Sequence, residues 1–386
     1  MFCEITVSHM AAQGHAEIAG AGFAGLTAAI ALAQRGWSVR VHEASPELRA
    51  LGAGIFIWEN GLRVLKAVGA YDDVTAGAHE AMVYETRHDG KLIAAHSFTA
   101  DKGTRMLTMT RQHLYSALIR AAQQHGVEIV TDSQAVGAMP EGVLMTADGR
   151  SFPADLVVGA DGVRSRVRDS LGLLQERNVY GDGIVRVLAP RLKDELGPGN
   201  WDHVIDFWNL QSRPLRILYV PCNAQDLYLA LMAQVSDREA NAIPLRTDIW
   251  SAAFPQLAPA IRQVSVGGRY DAYETTKLVR WSCGRVAIIG DAAHAMTPTL
   301  GQGAGTAMMN ALALAVALER ERALEPALQQ WEARERPLTE YTQDCSAQIA
   351  NERRLSRWDA DTLRAANHIP TGTEHFGPLT GIPPQG

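Results

Sequence analysis

Apolar and polar positions fall into a repeating order from about residue 16 onward. Ala16-Glu17-Ile18-Ala19 reads as a short strand running into a glycine turn, Gly20-Ala21-Gly22-Phe23-Ala24-Gly25. Leu26, Ala29, Ile30 and Ala33 then recur at helical spacing. This predicts a helix from about Phe23 to Arg35 with one apolar stripe, ended by Gly36. Trp37-Ser38-Val39-Arg40-Val41-His42-Glu43 alternates with the two-residue period of a strand. Strand, turn, helix and strand in this order make the βαβ unit of a dinucleotide-binding fold.

A second helical run, Arg111 to Gly126, leads into the strand Val127-Glu128-Ile129-Val130. Asp155-Leu156-Val157-Val158-Gly159-Ala160 is nearly all apolar, as in a parallel strand covered on both faces. From about Asn178 to Thr275 the pattern changes. Val204 to Trp208, Leu215 to Pro221 and Leu227 to Met232 follow one another as strands, with Trp and Tyr frequent. The run Arg285 to Gly290 returns to the parallel pattern, a long helix begins near Gly303, and helical segments continue to about Asn367. The expected fold is α/β. A Rossmann-like nucleotide-binding domain takes residues 15–75, 100–177 and 276–350, and an inserted, mostly antiparallel substrate domain takes 76–99 and 178–275. A C-terminal helical segment and tail are expected over 351–386.

Composition narrows the class without changing that layout. Hydrophobic residues make up 47% and charged residues 20%, as in ordinary globular proteins. A net charge of −6 with no long basic run offers nothing to nucleic acid or an anionic membrane. No apolar stretch reaches the roughly 18–20 residues that a bilayer span needs. Cys3, Cys222, Cys283 and Cys345 are scattered with no CxxC pair. Neither a zinc site nor a disulfide framework is expected, which suits a reducing cytoplasm. Met1 to Gly14 lacks the basic start and apolar core of a secretory signal.

The glycines of the turn have separate tasks. Gly20 makes the tight turn, Gly22 lets backbone approach a pyrophosphate, and Gly25, beside Ala24, lets helix and strand pack closely. The anion then meets the free N–H groups and partial positive charge of a helix N-terminus. Glu43, ending the second strand, is placed to accept from the ribose hydroxyls of an adenine nucleotide. These features specify a dinucleotide and leave NAD and FAD both open.

Two further motifs follow in order. Asp161-Gly162-Val163-Arg164-Ser165-Arg166-Val167-Arg168 comes directly after an apolar strand. Gly290-Asp291-Ala292-Ala293-His294 precedes Pro298 and Gly301-Gln302-Gly303-Ala304. With the glycine turn, and over most of the chain, they resemble the single-component flavin aromatic hydroxylases, the class of hydroxybenzoate and salicylate hydroxylases. The resemblance implies FAD, with NADH or NADPH as co-substrate and O2. Asp291, at the C-terminal edge of the sheet, can accept from the ribityl hydroxyls. The helix opened by Gly301 to Gly305 would direct N–H groups at the N1–C2=O edge of the flavin, which is anionic when reduced. By the same resemblance the Asp161 motif handles flavin and NAD(P)H, Arg49 and Arg111 lie near the flavin, and Pro298 faces its C4a side. The Asp161 motif also suits a basic turn capping a helix, Arg49 a solvated charge, and His294 a packed core histidine.

Within that class, Leu51-Gly52-Ala53-Gly54-Ile55, Asn60-Gly61-Leu62-Arg63-Val64-Leu65 and the run Tyr270 to Leu278 are similar to the 2-methyl-3-hydroxypyridine-5-carboxylate oxygenases. This implies a hydroxypyridine carboxylate as the small aromatic substrate, in a pocket lined by Arg216, Tyr84, Tyr228 and Tyr273. The planar fork of Arg216 would bind both carboxylate oxygens, and the tyrosines the ring oxygen and nitrogen. Phe56 stands where that group has a tyrosine. In the implied reaction NAD(P)H reduces FAD and O2 adds to give the C4a-hydroperoxyflavin. Its distal oxygen attacks a carbon beside the hydroxyl-bearing one, and the ring then opens. No metal or side-chain nucleophile takes part. The runner-up is a hydroxybenzoate or other phenol hydroxylated without ring cleavage. From another class comes a non-catalytic nucleotide-binding protein on the same fold. Monomer and homo-oligomer remain open.

Overall fold

In the computed structural model the described residues are 13–49, 53–98, 105–211, 213–264 and 267–352. Leu51, Gly52 and the tail expected beyond 352 lie outside them. The βαβ unit is formed by strand Gly14–Ala19, helix Phe23–Ala33 and strand Trp37–His42. Gly14–Ala19 lies near the middle of a six-stranded sheet, paired in parallel with Trp37–His42 on one side and Leu156–Gly159 on the other. Glu128–Val130 and Val286–Ile288 extend the sheet in parallel, and Ser282–Cys283 closes one edge antiparallel.

The first helix departs from its expected single stripe. Every residue from Ala24 to Leu32 is buried. Small side chains let two neighbours, Arg111–Gln124 and Gly303–Arg320, pack against it while the sheet covers a third side. A helix apolar all round is one with no solvent face. Helix Arg111–Gln124 starts where expected, with the Thr110 hydroxyl accepting the His113 amide at 3.1 Å.

The second sheet has seven strands, in the order Arg269–Leu278, Leu174–Pro190, Asp226–Gln234, Leu215–Pro221, Val204–Asn209, Val83–His88, Lys91–Ser97. It is antiparallel except where Val204–Asn209 runs parallel to Val83–His88. One face packs on the helices Thr247–Ala253 and Ala258–Arg262 through Trp250, Phe254 and Ile261. The other face carries Tyr228, Met232 and Tyr273 toward Trp58, Phe98 and Met106. Strand Gly54–Trp58 lies close against it, since a Cβ on Gly54 would collide with the Tyr228 ring. Helix Leu324–Glu352 closes the described chain. Among the described residues no helix is long and apolar enough to cross a membrane.

Candidate active site

Between the two sheets lies a cavity of about 400 Å³. Gly22, Phe23, Ala24, Asp291, Gly303 and Ala304 line one end, and Tyr84, Arg186, Arg216, Tyr228 and Tyr273 line the other. Most of the residues singled out in the sequence therefore share one space.

At the first end the backbone forms the cradle an ADP group needs. Gly20 has φ +98°, and a Cβ there would stand 2.5 Å from the Ala160 carbonyl oxygen. A Cβ on Gly25 would collide with the Gly20 carbonyl, whereas one on Gly22 meets nothing within 4 Å. Close packing on two sides and an open third side is the arrangement a pyrophosphate requires. Glu43 holds this turn in register. Its carboxylate accepts the Ala21 amide at 3.0 Å and the Ser45 amide at 2.8 Å.

Asp291 opens the short helix Asp291–His294 after Gly290, whose φ of +63° suits glycine. Its side chain reaches the cavity, and enclosure by protein raises its carboxyl pKa against the opposing pull of Arg111 and Arg269. Arg111 begins its helix with the guanidinium 4.7 Å above the Phe23 ring. Burial lowers its pKa to about 10, Arg186 adds to that and Asp291 resists it. Beyond Pro298–Leu300 the chain turns through Gly301 at φ +64° into helix Gly303–Arg320. Two contacts pin this turn from below: Trp58 Nε1 donates to the Leu300 carbonyl at 3.1 Å, and Asn60 Nδ2 donates to Gln302 Oε1 at 3.0 Å. Open space beside Gly22, a carboxylate at the sheet edge and a helix start facing the same cavity fit the phosphate, ribityl and ring portions of FAD.

At the other end Arg216 reaches the cavity, with one edge of its fork already engaged. Nε and Nη2 donate to the two oxygens of Asp206 at 2.6 and 3.0 Å. The Tyr84 hydroxyl donates to the same carboxylate at 3.1 Å, and the Trp208 ring lies 4.6 Å from the guanidinium. Asp206 thus takes the Nε–Nη2 edge of the guanidinium and leaves the two N–H groups of Nη1 and one of Nη2 outside that pair. Burial opposes the Arg216 charge, yet Asp206 holds its pKa above the ordinary value. Arg186 contacts Asp271, which also accepts from Arg269 Nε at 2.9 Å. Burial raises the pKa of both Tyr228 and Tyr273, so these phenols keep their protons at neutral pH.

Two expected contributors, Asp161 and Arg49, do not line the cavity. Asp161 takes the capping role: it accepts from the Ser165 hydroxyl at 2.5 Å and from the Arg166 and Val167 amides at 2.8 and 3.2 Å, at the start of helix Arg166–Ser170. Ala160 and Gly162, not Asp161, line the cavity. Arg49 is 66% exposed, 3.8 Å from Glu47, and outside the lining. His294 is a packed histidine, 3.0 Å from Asn310 Nδ2 and against Trp281, with its pKa lowered by burial to about 4. The sequence reading missed Asp206, Arg186 and the anchoring roles of Trp58 and Asn60. A charged residue inside each of the apolar runs Val204–Asn209 and Ile184–Leu188 was the available signal for the first two.

A family model described as "FAD binding domain" matches residues 15–351. The crystal structure of a mutant 2-methyl-3-hydroxypyridine-5-carboxylic acid oxygenase is similar at 49% identity, covering 92% of this chain and 96% of its own, with a TM-score of 0.86. A tetrameric form of that oxygenase matches at 49% identity and a TM-score of 0.85, covering 91% of this chain and 95% of its own. A putative 2-heptyl-3-hydroxy-4(1H)-quinolone synthase of Rhodococcus erythropolis is 42% identical over 92% of this chain and 93% of its own length. The 6-hydroxynicotinate 3-monooxygenase of Pseudomonas fluorescens is 28% identical over 78% of this chain and 82% of its own length.

Proposed function

Because the chain belongs to the FAD-dependent aromatic-ring monooxygenases, we propose that it uses NADH or NADPH and O2 to hydroxylate an oxygen-bearing nitrogen heteroaromatic ring. The observation that carries this reading is the single cavity joining Gly22, Asp291 and Gly303 to Tyr228, Tyr273 and Arg216. Three relatives are named for an oxygenated pyridine or quinolone, and another, at 30% identity, for an aminohydroxybenzoate. The reaction balances as ring C–H + O2 + NAD(P)H + H⁺ giving ring C–OH + H2O + NAD(P)⁺.

When bound, FAD supplies the two-electron transfer from the nicotinamide nucleotide and the activation of O2. The chain's own residues bind and orient. The N–H groups at Gly303 and Ala304 favour negative charge beside them without a mobile cation. Tyr228 and Tyr273, held protonated by burial, donate to the ring oxygen and fix which carbon faces the flavin end. Phe56, Phe98, Met106 and Pro298 exclude water, whose entry would divert the oxygen to hydrogen peroxide.

A second reading, a hydroxypyridine carboxylate whose ring opens after hydroxylation, is favoured by the 49% identity to the pyridine-carboxylate oxygenase. The test is turnover under 18O2 with 3-hydroxypyridines, 4-quinolones and hydroxybenzoates, with NADH and NADPH compared. The expected product is a heterocycle carrying one 18O atom from O2. Hydroxylation of benzoates alone, with heterocycles giving only peroxide, overturns the ring assignment.

A further inference from the structure

The last turns of helix Leu324–Glu352 grip the wall between the flavin end and the substrate end of the cavity. Met296, Thr297, Pro298, Thr299 and Leu300 form that wall. On the helix, Gln343, Ser346 and Ile349 follow three residues apart, so each neighbours the next on the helix surface. Gln343 Nε2 donates to the Ala295 and Thr276 carbonyls at 2.6 and 2.8 Å. Ile349 lines the cavity itself. Ser346 lies between them, fully buried and outside the lining. Its hydroxyl donates to the Thr297 carbonyl at 2.7 Å. A serine hydroxyl has one proton, so the Thr297 hydroxyl, 2.8 Å away, donates in turn to Ser346 Oγ. The Thr299 hydroxyl donates to the Ser346 carbonyl at 2.6 Å. Three hydroxyl protons meet three acceptors, and each bond crosses from helix to wall.

We infer that Ser346 is a positioning residue of the proposed monooxygenase, which fixes the Thr297–Thr299 wall and keeps solvent out of the reaction space. The inference rests on the monooxygenase reading above and deepens it. Trp58 and Asn60 hold the far end of the same turn at Leu300 and Gln302, whereas Ser346 holds its start. Without the Ser346 hydroxyl the Thr297 carbonyl loses this donor. Thr297 is 1% exposed, so water reaches that carbonyl only if the wall shifts. A shift there opens the cavity beside Pro298 and admits the water that diverts oxygen to peroxide.

The test compares Ser346→Ala with Thr342→Ala in the FAD-loaded enzyme. Thr342 is also buried, one turn earlier, but its hydroxyl donates to the Leu338 carbonyl of its own helix at 2.8 Å. It reports what losing a buried helix hydroxyl does by itself. Two readouts are taken: amide hydrogen exchange over residues 296–301, and peroxide formed per NAD(P)H oxidised with a ring substrate. In Ser346→Ala exchange should quicken at least tenfold and the peroxide share rise at least threefold, with flavin content unchanged. Thr342→Ala should leave both readouts at wild-type values. Thr299→Val, which removes only the bond to the Ser346 carbonyl, should move both in the same direction and decides the matter should Ser346→Ala not fold. Unchanged readouts in folded Ser346→Ala, or equal changes in Thr342→Ala, overturn the inference and leave the proposed reaction standing. Faster exchange with unchanged peroxide also overturns it, since the contact then serves stability only. If the wild type hydroxylates no ring, the proposed reaction falls and this inference with it.

Discussion

The Glu43 carboxylate accepts the Ala21 backbone amide at 3.0 Å, so the end of one strand holds the middle of the glycine turn. One carboxylate thus fixes the turn that is to hold the ADP group. Glu43→Ala is predicted to weaken FAD binding at least tenfold, since charge-assisted hydrogen bonds each contribute about 1.5–3 kcal/mol. Apoprotein circular dichroism should be unchanged. Titration with FAD measures the effect, and wild-type affinity in the variant would remove Glu43 from the site.

Trp58→Phe keeps an aromatic ring, though a smaller one, beside Phe98 and removes the Nε1 bond to the Leu300 carbonyl. Loss of one such bond costs about 1 kcal/mol, enough to loosen Pro298–Leu300 without unfolding the protein. Because that turn walls the cavity between the flavin end and the substrate end, the variant is predicted to leak. Peroxide formed per NAD(P)H oxidised should rise severalfold while the rate of flavin reduction holds. Unchanged coupling would show that the turn is held without Trp58.

Gly290 is constrained twice, by φ +63° and by the Ala24 Cβ, which would lie 2.8 Å from an added methyl. The left-handed conformation alone costs a non-glycine residue roughly 1–2 kcal/mol. Gly290→Ala is predicted to lower thermal stability by several degrees and to release flavin, because both the first helix and Asp291 must shift. A variant with wild-type melting temperature and flavin content would show that the helix yields without cost.

What the sequence made legible was local. The βαβ unit, the glycine turn, Glu43 and the Gly301–Ala304 helix start each depend on residues near in sequence, and Gly22, Ala24, Gly301 and Ala304 line one cavity. Strands Val204–Asn209 and Leu215–Pro221 were also readable, because alternation is a property of the strand itself. Their register was not. The Asp206–Arg216 pair depends on which residues stand opposite one another, and no periodicity encodes that. Trp58 and Leu300 are 242 positions apart, so the anchor of the flavin-side turn left no local trace. Asp161 shows the converse: within a motif whose Gly162 lines the cavity, its carboxylate serves the start of its own helix.

Glu335 offers a prediction about stability away from the cavity. It is 1% exposed on helix Leu324–Glu352, and its Oε1 has no hydrogen-bond partner among the described residues, although Arg334 Nε lies 3.3 Å away. Burial raises its pKa from 4.5 to about 7, with Arg334 only partly opposing. A raised carboxyl pKa means the folded state holds a proton that the unfolded chain has released. The associated stability is fully present below about pH 4.5 and is lost as pH rises through about 7. Glu335→Gln keeps the shape and cannot ionise. It should therefore match the wild type near pH 4.5 and exceed it by on the order of 3 kcal/mol at pH 8.5, because each tenfold change in proton affinity between folded and unfolded chain is worth about 1.4 kcal/mol. Denaturant unfolding of both proteins at the two pH values decides the matter. An equal difference at both would show that the glutamate is ionised in the fold throughout, with Arg334 as a full partner.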